Sequence, residues 1–144
     1  MRKAISNKSG FTLVELLVVI SIIGVLVALS LVALGAARAS GRDTKRKADL
    51  EQVRSGLELY YSDCAKYPNV LGTSLTGDGS SSSCQAGNTY ISKTPLDPSV
   101  GRTYSYSASG SPATSYILCA ALEQSPGVDT SGCGSCTVAC NYKV

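Results

Sequence analysis

The 144-residue chain contains no histidine, which removes the Ser-His and Cys-His pairs that activate hydroxyl and thiol nucleophiles. Its acidic side chains offer no substitute. Asp78, Asp97, Glu123 and Asp129 are scattered through segments that read as loops, and no acidic pair stands out. Charge is the second absence: there is none from Leu16 to Ala37, and roughly 20 apolar residues suffice to cross a bilayer as a helix. Proline is the third, missing from residues 38 to 63, so nothing in that stretch breaks a helix entering it from the apolar run. These absences point away from an enzyme and toward a structural subunit held by one apolar helix.

What is present at the start of that helix is a single carboxylate, Glu15. An acidic group at the bilayer centre costs about 2.5 to 3.5 kcal/mol on insertion scales, so a cationic partner is expected for it. Gly10-Phe11-Thr12-Leu13-Val14-Glu15, preceded by Arg2, Lys3 and Lys8, resembles the processing site of type IV pilins and the related pseudopilins. The resemblance implies that a membrane prepilin peptidase cuts between Gly10 and Phe11 and methylates the new Phe11 amine. It also implies that Glu15 neutralises the Phe11 amine of a neighbouring subunit during assembly. A plain signal anchor is the alternative. A cleaved secretory signal ending near Ala37-Arg38-Ala39 is another, but its apolar core would far exceed the usual 7 to 15 residues.

Three of the 13 basic residues and none of the 10 acidic ones lie in residues 1–10, so the processed chain is formally neutral and its charge says nothing about nucleic acid. The leader charges favour a cytoplasmic N-terminus, whereas Arg38, Arg42, Lys45, Arg46 and Lys47 on the other flank favour the reverse by simple counting. The resemblance to a leader processed on the cytoplasmic face, and the confinement of all six cysteines to positions beyond residue 63, decide for a cytoplasmic N-terminus and an oxidising outer side.

Leu50, Val53, Leu57 and Tyr60 or Tyr61 recur at spacings of three and four, which predicts an amphipathic helix continuing from the apolar one. A helix from about Phe11 to Ser62 would be on the order of 75 Å long at about 1.5 Å per residue. Its apolar half, Leu13 to Leu34, has nothing in the chain to pack against and must sit in lipid or against copies of itself. Gly24, Gly35 and Gly41 are candidate sites of close helix contact or local unwinding, or simply small residues tolerated in a membrane helix. Beyond Pro68, residues 72 to 88 read as a surface loop. Short strands follow at Thr89 to Ser92, Arg102 to Ala108, Ser115 to Leu122 and in the tail Thr137 to Val144, with Gly110, Pro112, Pro126 and Gly127 as turns. The fold class is α+β: a long N-terminal helix packed on a small antiparallel sheet.

Tyr60-Tyr61-Ser-Asp-Cys-Ala-Lys-Tyr67-Pro68, then Pro95-Leu96-Asp97-Pro98, Gly101 and Tyr104-Ser105-Tyr106, are similar to the soluble half of major pseudopilins of type II secretion and of the pilins built on the same plan. Pro95 and Pro98 fix φ around Asp97, which reads as a residue capping its own turn. The tyrosines should fill the sheet face with hydroxyls reaching water or backbone.

Cys64, Cys84, Cys119, Cys133, Cys136 and Cys140 allow 15 pairings, and three disulfides are expected with the connectivity open. Cys133-Gly-Ser-Cys136 also has the spacing of a redox dithiol or half a zinc site, but it lies in Gly and Ser near the terminus and no histidine is available to complete a site. Major pseudopilins of type II secretion bind calcium near their C-terminus, and Asp129 falls in that general region. One carboxylate is far short of the six to eight oxygens calcium takes, and no cofactor is expected. Arg42, Lys45, Arg46 and Lys47 would suit DNA or anionic headgroups, but interleaved Asp43, Asp49 and Glu51 favour a solvated helix face pairing with neighbouring subunits.

The sequence therefore predicts a prepilin-type leader (1–10), a transmembrane and filament-core helix (11–37), its amphipathic continuation (38–63) and a disulfide-stapled head (64–144). The expected role is a type IV pilus subunit. A pseudopilin of type II secretion is the first alternative, and a minor tip subunit acting as adhesin or DNA receptor the second. Expected partners are the prepilin peptidase, further copies of the chain, membrane lipid before assembly, and the inner-membrane machinery of a pilus or secretion system. The precursor would be a single-pass cytoplasmic-membrane protein, and the assembled form an extracellular or cell-envelope filament.

Overall fold

The computed structural model describes residues 10–124 and 130–144. Helix α1 runs Leu13–Cys64, starting and ending two residues later than expected. The chain separates into two compact units, Met1–Arg38 and Ala39–Val144.

In the first unit α1 opens on Thr12, whose hydroxyl accepts the Glu15 N–H while the Glu15 carboxylate accepts the Thr12 N–H at 2.9 Å. This reciprocal pairing satisfies two amides that a helix start leaves without partners. Large apolar side chains around the helix, among them Leu17, Ile20, Ile23, Val27 and Leu34, are exposed. The Ser21 and Ser30 hydroxyls donate to carbonyls one turn back, Leu17 O and Leu26 O, so neither leaves an unpaired donor facing hydrocarbon. By length and composition this helix can cross a membrane.

In the second unit the same helix turns amphipathic. Leu50, Val53, Leu57, Tyr60 and Cys64 are buried and form the core with Leu75, Cys84, Ile91, Leu118 and Ala120. Gly56 lets strand β2 approach: a Cβ there would lie 2.3 Å from Ile91 Cγ1. The helix closes with the Ala65 N–H on Tyr61 O, Ala65 itself adopting a left-handed φ of 54°, as residues just past a helix end commonly do.

Strands β1 (Leu75–Thr76) and β2 (Thr89–Ile91) form a two-stranded antiparallel sheet. Strands β3 (Ser105–Gly110), β4 (Ala113–Ala120) and β5 (Tyr142–Lys143) form a second, in the order β3-β4-β5. Among the described residues there are thus two small sheets where one was expected, and the 72–88 loop contributes β1. The β3–β4 turn uses Gly110 at φ 104°, a conformation that only glycine adopts without strain. Strand β3 begins later than expected because Arg102 is held in a turn, its N–H on Ser99 O. In the tail the strand itself is Tyr142–Lys143, with Asn141 and Val144 extending the backbone bonding to Ala120 and Leu118 of β4, while Cys136 and Cys140 before it are joined to each other. The expected turn residues Pro126 and Gly127 lie outside the described residues.

Candidate functional site

The N-terminal candidates lie at and just before the start of α1. Gly10 and Phe11 precede the helix and are exposed, Phe11 at 89%. Glu15 lies in the first helical turn, with its carboxylate on the Thr12 hydroxyl and amide. The leader residues Arg2, Lys3 and Lys8 lie outside the described residues. At Gly24, Gly35 and Gly41 an added Cβ would meet nothing within 4 Å, so no contact inside the subunit requires glycine there.

A second constellation, in the head, is built around a residue expected to be solvated. Arg46 is fully buried. Its Nε and Nη2 donate to the two carboxylate oxygens of Asp97 at 2.8 and 2.9 Å. Nη1 donates to Asp43 at 2.7 Å and to Glu123 at 2.9 Å, and Nη2 also reaches the Ser99 hydroxyl. All five guanidinium N–H groups therefore have acceptors. Arg42 adds a two-pronged contact to Glu123, and Asp43 accepts the backbone N–H groups of Glu123 and Gln124.

These contacts set the charges. Hydrogen bonds from Arg42 and then Arg46 hold Glu123 at about 2. Burial alone would raise Asp43 and Asp97. Bonds from the Glu123 and Gln124 amides and Arg46 carry Asp43 below its ordinary value instead, as Arg46 and the Ser99 amide do for Asp97. Arg46 is pushed further up, first by Asp97. All members stay ionised at neutral pH.

Two expectations are thereby corrected. The basic cluster is not one solvated face: Arg46 is buried, Arg42 is bound to Glu123, and only Lys45 and Lys47 stand exposed, Lys47 lying 5.5 Å from the Tyr142 ring. Asp97 does cap its turn, accepting the Ser99 N–H at 2.7 Å, but its main partner is Arg46. The signal was present in the spacing, because positions 43 and 46 continue the stripe 50, 53, 57, 60 backward by threes and fours. Charged residues at core positions should be paired.

The tyrosines depart from expectation in a related way. Tyr106 reaches a backbone carbonyl, that of Pro68. Tyr104, Tyr90 and Tyr116 instead donate to helix carboxylates, Asp49, Asp63 and Glu58 respectively, and Tyr67 joins Tyr116 on Glu58. Burial raises the Tyr106 phenol to about 12.

The cysteines pair as Cys64–Cys84, Cys119–Cys133 and Cys136–Cys140. Cys133 and Cys136 thus belong to different bridges, and the redox-dithiol reading of their spacing falls. Both cysteine sulfurs that approach Asp78 are in the first bridge, and the Asp78 carboxylate is bound to Lys66 at 2.6 Å. The calcium implied by the resemblance finds no open donor set among the described residues: Asp43, Asp97 and Glu123 are the carboxylates gathered near the C-terminal segment, and arginine and amide donors occupy them. Asp129 lies outside the described residues.

Residues 5–31 match the prokaryotic N-terminal methylation motif, and residues 33–132 match type II secretion system protein G. The chain belongs to the type II secretion protein G family. Within the family it is similar to the type II secretion system core protein G of Pseudomonas aeruginosa, at 31% identity over 110 residues, covering 72% of this chain and 76% of that protein. No solved structure matches it at a significant level. In this chain the methylation motif thus lies directly ahead of the region that matches protein G.

Proposed function

We propose that this chain is a major pseudopilin: a membrane-stored, non-enzymatic subunit assembled into a short helical filament of a type II secretion system. The likeness of residues 33–132 to protein G carries this reading. It is preferred to the pilus subunit expected from the N-terminus because the methylation motif serves pilins and pseudopilins alike, whereas the head resembles protein G. In this reading a prepilin peptidase cuts between Gly10 and Phe11 and the Phe11 amine is methylated. Glu15 then neutralises that amine on a neighbouring copy. The exposed apolar side chains from Leu13 to Leu34 pack in lipid before assembly and against one another after it. The N-terminus would face the cytoplasm and the head the oxidising side, where inner-membrane assembly proteins draw subunits into the fibre.

Intact mass of the protein from membranes and from sheared surface material tests the processing. A chain beginning at methylated Phe11 and lacking the six hydrogens of three disulfides supports it, and an uncleaved reduced chain opposes it. Deleting the gene then separates the roles. Loss of an exported protein with surface filaments unchanged supports the pseudopilin, whereas loss of long surface filaments with secretion intact favours the pilus subunit.

A further inference from the structure

In sequence, Asp43 and Asp49 lie among Arg42, Lys45 and Lys47 and offset their charge. In the folded head both acids are buried. Asp43 is engaged by Arg46 and by the amides of Glu123 and Gln124, and Asp49 accepts the Tyr104 hydroxyl at 2.7 Å. The next acid along the helix, Glu51, is exposed beside Arg54 at 3.7 Å. From residue 38 to residue 47 the charge that α1 shows to solvent is therefore of one sign. Arg38, Lys45 and Lys47 are exposed, and Arg42 is partly so while bound to Glu123. Of the ion pairs formed by described residues, none involves Arg38, Lys45 or Lys47; the Lys47 ammonium lies 5.5 Å from the Tyr142 ring.

These cations stand just past the charge-free run. Arg38, Arg42, Lys45 and Lys47 follow Ala37 by one, five, eight and ten positions, all within α1, and ten helical residues rise about 15 Å. The headgroup layer on each side of a bilayer is about 5 to 7 Å thick, surface charge is felt over a Debye length of about 8 Å at physiological salt, and long basic side chains bend toward the interface. Headgroups at the end of the apolar run are thus within reach of all four. Positions 38, 42 and 45 share one side of the helix by their spacing of four and three, and position 47 lies on another side, so the charge forms a collar.

We infer that Arg38, Arg42, Lys45 and Lys47 form a collar that binds the phosphate headgroups of anionic phospholipids and ties the head to the membrane surface while the subunit is stored there. A lipid surface is favoured over DNA because the apolar run that anchors the chain brings headgroups to this level in every copy. Each cation near an anionic surface contributes about fivefold in binding. The inference rests on the membrane-stored subunit of the proposed function, and not on which filament that subunit later joins.

The test uses the full chain, one copy per lipid nanodisc, with lysine acetylation rates read by mass spectrometry. Lys93, exposed and outside α1, is the internal reference. In discs containing phosphatidylglycerol, Lys45 and Lys47 should react roughly fivefold more slowly relative to Lys93 than in phosphatidylcholine discs. The difference should vanish in about 1 M salt, where the Debye length is about 3 Å. Relative rates that are the same in both discs overturn the inference. Protection by a short DNA duplex added to phosphatidylcholine discs, with none from phosphatidylglycerol, overturns it in favour of a nucleic-acid surface. Lys45→Gln combined with Lys47→Gln leaves the buried Arg46 network untouched and should fold as the wild type does. After mild detergent extraction from mixed discs it should retain several-fold less phosphatidylglycerol, and wild-type retention overturns the collar. A chain that fails to enter discs overturns membrane storage itself and this inference with it, whereas a chain that enters without protection overturns this inference alone.

Discussion

Arg46 and Asp97, 51 positions apart in the chain, meet through two parallel hydrogen bonds of 2.8 and 2.9 Å with both side chains shut off from solvent. The pair fixes the Pro95–Pro98 turn against α1. Removing one partner of a buried pair leaves the other charge uncompensated, so Asp97→Asn should destabilise the head by about 3 to 5 kcal/mol, read by denaturant unfolding.

Acid should find the same site. Glu123 sits at about 2 when folded, against an ordinary 4.5, and Asp43 and Asp97 are shifted the same way. Because the folded values are depressed, the unfolded chain binds more protons through this window. The stabilisation is complete above the ordinary carboxylate range and is lost as pH falls from about 4.5 toward about 2. Unfolding midpoints measured across that range should decline steeply, and less so in Glu123→Gln; equal slopes would contradict the assignment.

Glu15 has two tasks that substitution can separate. Its carboxylate caps the helix through Thr12, and in the proposed filament it neutralises a neighbour's amine. Glutamine preserves the first task and not the second. Both Glu15→Ala and Glu15→Gln should leave the subunit in the membrane and block fibre formation, scored by electron microscopy of sheared material. Normal fibres from the glutamine variant would assign Glu15 to helix capping alone.

Gly56 and Ile91 should be coupled. A Cβ at position 56 falls 2.3 Å from Ile91 Cγ1 and 2.7 Å from Cδ1, so Gly56→Ala should cost about 1 to 3 kcal/mol through overpacking. Ile91→Ala alone removes core contacts at about 2 to 5 kcal/mol. The double variant should be more stable than the sum of the two losses implies, a non-additivity that a double-mutant cycle measures.

The bridges should differ by the length of chain they close. Cys119–Cys133 spans 14 positions and Cys136–Cys140 only 4. On loop-closure entropy the first contributes about 3 kcal/mol and the second about 2. Paired serine substitutions, Cys119→Ser with Cys133→Ser against Cys136→Ser with Cys140→Ser, should preserve that order in thermal unfolding.

Much of this molecule is local and therefore readable from spacing. The charge-free run, the stripe at Leu50, Val53, Leu57 and Tyr60, and the absence of proline before residue 68 place α1 to within two residues at each end. Strands were read less well: β1 and β5 have two residues each, too short for alternation to register. The motif Gly10 to Glu15 is contiguous, so its candidates needed no fold to be found.

What only the tertiary structure decided are the matches across distance. Sequence periodicity shows that position 46 faces inward, yet it cannot show that Asp97 and Glu123, from two separate loops, arrive there to neutralise it. Nor can it choose among cysteine pairings, since a disulfide depends on which Cα atoms come within several ångströms, as at Cys119 and Cys133. Helices arise from neighbours three and four apart. Charge pairing and cross-links arise from where the chain has been folded to, and the same Asp97 that reads as a turn residue becomes, once folded, the anchor of a buried arginine.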